Sequence, residues 1–133
     1  MLASEMVHVL FEWNPSIDMV VHVPVHPARL RERGFDQSEL LARELSRTRG
    51  IAAVPCLIRL RETDVQARAM SAAQRAANVR GAFHVPNDDG IRGANVLLID
   101  DVLTTGATLT EAARALRRSG AKTVYGLTLA HET

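Results

Sequence analysis

Cysteine is nearly missing: Cys56 is the sole example in 133 residues, which excludes an internal disulfide and any zinc site assembled from several cysteines. With apolar Val54, Leu57 and Ile58 around it, the thiol reads as a buried packing group. Aromatic residues make up only 4% of the chain, too few for a base-stacking platform, so direct nucleic-acid binding is not expected. No run approaches the roughly 20 consecutive apolar residues of a membrane span. Met1 to Trp13 is interrupted by Glu5, His8 and Glu12 where a signal peptide needs unbroken apolar character. These absences predict a cytoplasmic chain with no membrane partner. Lysine is reduced to Lys122, so arginine carries nearly all of the 16 cationic side chains.

What is present suits one domain over residues 1–133, because 47% hydrophobic content over this length can bury one core. The net charge of +1 hides an uneven distribution: eleven arginines fall in residues 29–80 against six acids. A planar guanidinium suits bidentate phosphate contacts, so the positions of individual arginines carry more meaning than their number.

Leu2, Met6, Val9, Leu10 and Trp13 have the spacing of one helical face, ended by Asn14 and Pro15. The β-branched run Asp18 to Val25 predicts a buried strand, followed by a loop. Asp36 with Glu39 three residues on has the form of a capping box; Leu40, Leu41 and Leu45 line one face and Gly50 supplies a stop, predicting a helix over 36–49. Val54 to Leu60 reads as a second strand. Ser71 and Gln74 suggest another capping box and a short helix near 71–80, inside a longer polar excursion from 61 to 81. Ala94 to Ile99 predicts a strand, Thr108 and Glu111 a third capping box for a helix running to Gly120, and Lys122 to Ala130 a last strand. Strands alternating with helices imply an α/β domain whose mainly parallel sheet is flanked by helices on both faces.

The stretch VLLIDDVLTTGAT, Val96 to Thr108, ends a buried strand in two adjacent carboxylates. Asp100 and Asp101 repel one another, so placing both beyond a strand requires hydrogen-bond donors or a cation there. A sugar diol supplies donors. Thr104, Thr105, Gly106, Ala107 and Thr108 follow, with hydroxyls, a permissive glycine and the positive end of a helix, which together suit a phosphate. A Walker loop is excluded because no lysine follows the glycine, and an EF-hand is excluded because oxygen ligands do not alternate across twelve positions.

The same stretch resembles the phosphoribosyl-pyrophosphate signature of type I phosphoribosyltransferases at all thirteen positions. That resemblance implies a type I phosphoribosyltransferase-like fold, here with a minimal hood. It also implies ribose contacts from Asp100 and Asp101, a 5′-phosphate loop at Thr104 to Thr108, and Mg2+ held at the two aspartates. VPVHPARLRERGFDQ, Val23 to Gln37, and TDVQARAMSAAQRAANVRGAF, Thr63 to Phe83, are similar to the competence protein F family over roughly residues 18–130. Asp36 replaces the asparagine usual there, and this sequence contains no cysteine-rich zinc module of the kind that commonly precedes the domain.

The resemblance places a pyrophosphate loop at Val25 to Arg29, including His26, Pro27, Ala28 and Arg29, and a flexible catalytic loop around Arg61 to Asn78. Breaking a bond to pyrophosphate calls for fixed cations beside the departing oxygens. Arg29, Arg31 and Arg33 can supply them. Arg33, Arg75 and Asp101 are the candidate catalytic residues; Gln66 and Asn78 match further polar positions of the second segment. His22, alternating with valines, reads as a satisfied packed histidine; His8 and His84 read as structural, and His131 lies near where related enzymes contact an acceptor base. Two functions follow. One is transfer of a phosphoribosyl group from phosphoribosyl pyrophosphate to an unidentified nitrogen acceptor. The other is a non-catalytic module binding the same donor, or a nucleotide, in DNA uptake. Homodimers are common for this fold and are expected by analogy.

Overall fold

Four apolar residues in a row, Val96 to Ile99, are all inaccessible to solvent, so the strand that carries them is covered on both faces, as in a parallel sheet sandwiched by helices. The computed structural model describes residues 16–34, 36–61, 71–87, 90–103 and 106–131. In chain order its elements are β1 (Met19–His22), α1 (Pro27–Arg33), α2 (Gln37–Arg49), β2 (Ala52–Ala53), β3 (Ile58–Arg59), α3 (Ala72–Val79), β4 (Phe83–His84), β5 (Asn95–Leu103), α4 (Ala107–Arg118) and β6 (Thr123–His131). The helix expected over Leu2 to Trp13 lies outside the described residues.

The described strands form a four-stranded sheet in the order β2-β1-β5-β6 and a separate pair, β3-β4. Every pairing in the larger sheet is parallel, whereas β3 and β4 run antiparallel. Alternation along β5 divides the core in two. Val96 and Leu98 join Ala112, Ala115 and Leu116 of α4 on one face. Leu97 and Ile99 join Val20, Leu41, Ala42 and Leu45 on the other. Period-two side-chain direction in the strand is the cause.

Helix α2 starts as the sequence predicts. The Asp36 carboxylate accepts the Glu39 N–H, and Gly50, at φ 70°, closes the helix by donating its N–H to the Ser46 carbonyl. Leu41 and Leu45 face the core, but Leu40 is 52% exposed. The capping box at α3 forms in both directions, Ser71 N–H to Gln74 Oε1 at 2.7 Å and Gln74 N–H to Ser71 Oγ at 3.2 Å. Ser71→Ala is expected to fray this helix and speed amide exchange at Gln74 and Arg75 about fivefold, equivalent to about 1 kcal/mol; unchanged protection there would show that packing alone holds α3.

Four expectations need correction. The loop expected after the first strand contains a helix, α1. Of the strand expected from Val54 to Leu60, only Ile58–Arg59 forms, as β3; β2, Ala52–Ala53, precedes that span and pairs with a different partner. Pro55 lies between them and has no N–H to donate to a ladder. The strand expected to stop at Ile99 runs on to Leu103. The helix expected to be capped by Thr108 is instead preceded by Gly106, at φ 82°, with no side-chain cap bond. Thr108 is therefore the second helical residue, and Glu111 lies a turn inside, 3% exposed, rather than reaching back to a cap.

Candidate functional site

From β1 the chain proceeds to β2 on one flank, whereas β5 is followed by β6 on the other, so the connections part between β1 and β5. Such a switch point opens a crevice beyond the carboxyl ends of the strands, where ligands of open α/β sheets collect. Val23 donates its N–H to the Ile99 carbonyl at 2.8 Å, setting the exit of β1 beside the residue before Asp100. The segment after β1 and the segment after β5, well separated in sequence, therefore leave the sheet side by side.

Asp100 lies within β5, opposite Thr128 in the register, and is 8% exposed. Asp101 follows in the same strand; its side chain, and Thr104 and Thr105 entirely, lie outside the described residues. Gly106 turns the chain through a left-handed conformation into α4, which only a residue without Cβ adopts at little cost. Ala107 and Thr108 occupy the first turn of α4, where the helix dipole and backbone N–H groups favour an anion.

The proposed pyrophosphate segment is more ordered than a loop. The His26 carbonyl accepts the Leu30 N–H at 3.0 Å, and Pro27 opens α1, where its missing N–H breaks no helical bond. Ala28, Arg29 and Arg33 belong to this short helix, although their side chains are not among those described; Arg31 is exposed. Arg75 and Asn78 are half-buried on α3, and Gln66 lies outside the described residues. Helix α3 does come to the beginning of α4: Ala72, Ala76 and Val79 face Gly106, Ala107 and Thr110 across a cavity of about 210 Å³. Arg61 holds the base of this excursion, its Nη2 donating to the Asn78 carbonyl at 2.6 Å and the Arg80 carbonyl at 2.9 Å. The structure thus brings α3 of the second arginine-bearing segment to the start of α4, as the sequence alone could not establish.

Other features escaped sequence reasoning. Asp36 is more than a helix cap: its second oxygen accepts the Val25 N–H at 3.3 Å and lies 3.8 Å from His22 Nε2. Arg59, buried in β3, donates to the Pro24 carbonyl at 3.2 Å and lies over the Phe83 ring. Nothing local marks Asp36 as a long-range acceptor, since a capping aspartate has the same sequence pattern in either case. His84 is exposed on β4 and His131 ends β6, in register with Leu103; His8 lies outside the described residues.

Cys56 packs against the core cluster of β5 and α4, and burial pushes its thiol above the ordinary range. At neutral pH it is therefore protonated and a poor nucleophile. Alkylation by iodoacetamide is expected to run at least about tenfold slower than for free cysteine at pH 7 and to accelerate as pH rises; a rate equal to free cysteine would contradict the packing role.

A parallel sheet with helices on both faces, a crevice at the β1–β5 switch point and an acidic strand end running into a glycine-led helix define a phosphoribosyltransferase-type α/β domain. Residues 32–131 match the phosphoribosyl transferase domain, and the chain belongs to that family, on its type I, competence protein F side. It is 38% identical over 111 residues to the DNA utilization protein YhgH of Salmonella typhi, covering 83% of this chain and 48% of that protein. It is 34% identical over 114 residues to competence protein F of Haemophilus influenzae, covering 83% and 49%. The chain thus spans about half the length of the curated relatives it matches. Among solved structures, the glutamine phosphoribosylpyrophosphate amidotransferase of B. subtilis aligns with 96% of this chain and 25% of its own, at a TM-score of 0.64 and 23% identity. The purine phosphoribosyltransferase of Pyrococcus horikoshii Ot3 aligns with 98% and 70%, at a TM-score of 0.60 and 20% identity. These two likenesses establish the fold.

Proposed function

We propose that this domain binds phosphoribosyl pyrophosphate in the β1–β5 crevice and transfers its phosphoribosyl group to a nitrogen acceptor, releasing pyrophosphate. The observation that carries the reading is the path of Val96 to Thr108: a buried strand containing Asp100 and Asp101 that passes through left-handed Gly106 into α4 at the switch point. In this reading Asp100 and Asp101 accept hydrogen bonds from the ribose hydroxyls, and Thr104 to Thr108 surround the 5′-phosphate. His26, Pro27, Ala28 and Arg29 border the pyrophosphate.

As the bond from the anomeric carbon to the leaving oxygen lengthens, positive charge gathers on the ribose and negative charge on pyrophosphate. Arg33 and Arg75 are assigned to the negative charge, and Asp101 to the ribose side. The segment from Arg61 to Asn78 is assigned to closing over the donor, because water in the crevice would compete with the acceptor. Two adjacent carboxylates provide the oxygen donors that a hard divalent cation prefers, and buried Asp100 at the crevice fits that requirement. Mg2+, when bound, would be held by Asp100 and Asp101 and would neutralise charge on the pyrophosphate.

No described helix is long and apolar enough to cross a membrane; a cytoplasmic, homodimeric protein is part of the same proposal. The names of two relatives, a DNA utilization protein and a competence protein, favour a second reading, in which donor or nucleotide binding serves DNA uptake without turnover. Calorimetry with phosphoribosyl pyrophosphate and Mg2+, beside pyrophosphate release measured over a panel of bases and amines, separates the two. Acceptor-dependent release supports transfer, binding without release supports the second reading, and absence of donor binding defeats both.

A further inference from the structure

On the β2 side of β1, His22, Asp36 and Glu39 converge. One ligating atom from each lies within 4.8 Å of the others. They come from the carboxyl end of β1 and the start of α2, fourteen and three residues apart in sequence. Asp36 is already fixed, since Oδ1 accepts the Glu39 N–H at 3.2 Å and Oδ2 accepts the Val25 N–H at 3.3 Å. Each oxygen retains another lone pair.

His22 Nε2 stands 3.8 Å from Asp36 Oδ2, with the two side chains 12% and 7% exposed. That separation is too long for a hydrogen bond. It matches the spacing of about 3 to 4 Å between two ligands that each bind one ion at about 2.1 Å. Glu39 is the most exposed member. Its carboxylate pairs with Arg43, whose side chain is 70% exposed, and such a surface pair is weak enough to be exchanged for a stronger ligand. His22, Glu39 and Arg43 border a cavity of about 280 Å³, which gives an ion a route in and space for waters to complete its coordination. One imidazole with two carboxylates suits a first-row divalent ion better than Mg2+ or Ca2+, which prefer all-oxygen sets.

We propose that His22, Asp36 and Glu39 form a structural site for a divalent ion of the zinc class, which staples the carboxyl end of β1 to the start of α2. The ligands at 22 and 36 bracket the whole segment bearing His26 and α1. An ion there fixes the base of that segment and stabilises the folded state by binding it in preference to the unfolded chain.

The test uses chelator-treated full chain titrated with Zn2+ by calorimetry, with the thermal midpoint and the visible spectrum of added Co2+ as further readouts. One Zn2+ per chain is expected, with a rise in midpoint. His22→Gln and Glu39→Gln should each weaken binding at least about tenfold and diminish the Co2+ bands. Glu39 lies partly exposed on α2, so the Glu39→Gln protein is expected to fold and provides the decisive comparison even if His22→Gln perturbs the strand. Asp100→Asn should bind Zn2+ as the wild type does. Absence of binding, undiminished binding by both His22→Gln and Glu39→Gln, or loss of binding in Asp100→Asn alone would each overturn the proposal. The last result would place the ion at the β5 carboxylates. The proposal stands independently of whether phosphoribosyl pyrophosphate is the donor.

Discussion

Asp100→Asn is expected to weaken phosphoribosyl pyrophosphate binding by about 1.5 to 3 kcal/mol, roughly 10- to 150-fold in dissociation constant, when measured by calorimetry with Mg2+. The substitution preserves shape and removes charge. A carboxylate offers several lone pairs to two ribose hydroxyls, whereas an amide turns one end into a donor that faces other donors. Because Asp100 is largely buried within β5, urea unfolding of the same variant is needed to separate loss of the ribose contact from loss of stability. A loss of affinity with little loss of stability supports the ribose contact. Unchanged affinity removes it, and with it the assignment of the crevice.

The largest effect on stability is expected at Leu98. Truncation to alanine leaves a void between β5 and α4 in a core where neighbouring Val96 and Leu116 are also fully buried. The expected loss is about 2 to 5 kcal/mol, a large share of the roughly 5 to 15 kcal/mol that holds a typical domain. Leu40→Ala provides the contrast. The helical periodicity groups Leu40 with Leu41 and Leu45, but its side chain is half in solvent, so its truncation is expected to change stability by no more than about 0.5 kcal/mol. Urea midpoints for the two variants decide the matter, and similar losses would show that Leu40 is covered in solution.

Much of the architecture was legible because its signals are local. A β-branched run, an Asp or Ser with a partner three residues on, and a glycine after the last apolar position each act within a few residues, and the starts of α2 and α3 match those signals closely. Where local signals competed, they misled. Thr108 with Glu111 has the form of a capping box, yet Gly106 reaches the required left-handed turn two residues earlier and the helix begins there. Val54 to Leu60 is apolar enough for one strand, yet with Pro55 near its start only Ile58 and Arg59 pair, with β4, while the preceding Ala52–Ala53 pairs with β1.

By itself the sequence determined β1, α2, α3, β5, α4 and β6 in their order, the two-sided burial of β5 and the acidic strand end that leads into a helix start, because these depend on spacing along the chain. Only the tertiary structure decided which strands are neighbours. Strand order therefore placed the β1–β5 crevice, brought α3 against the start of α4 and gathered His22 with Asp36 and Glu39. Such meetings arise from packing between distant segments, and no pattern within either segment records what the other will touch.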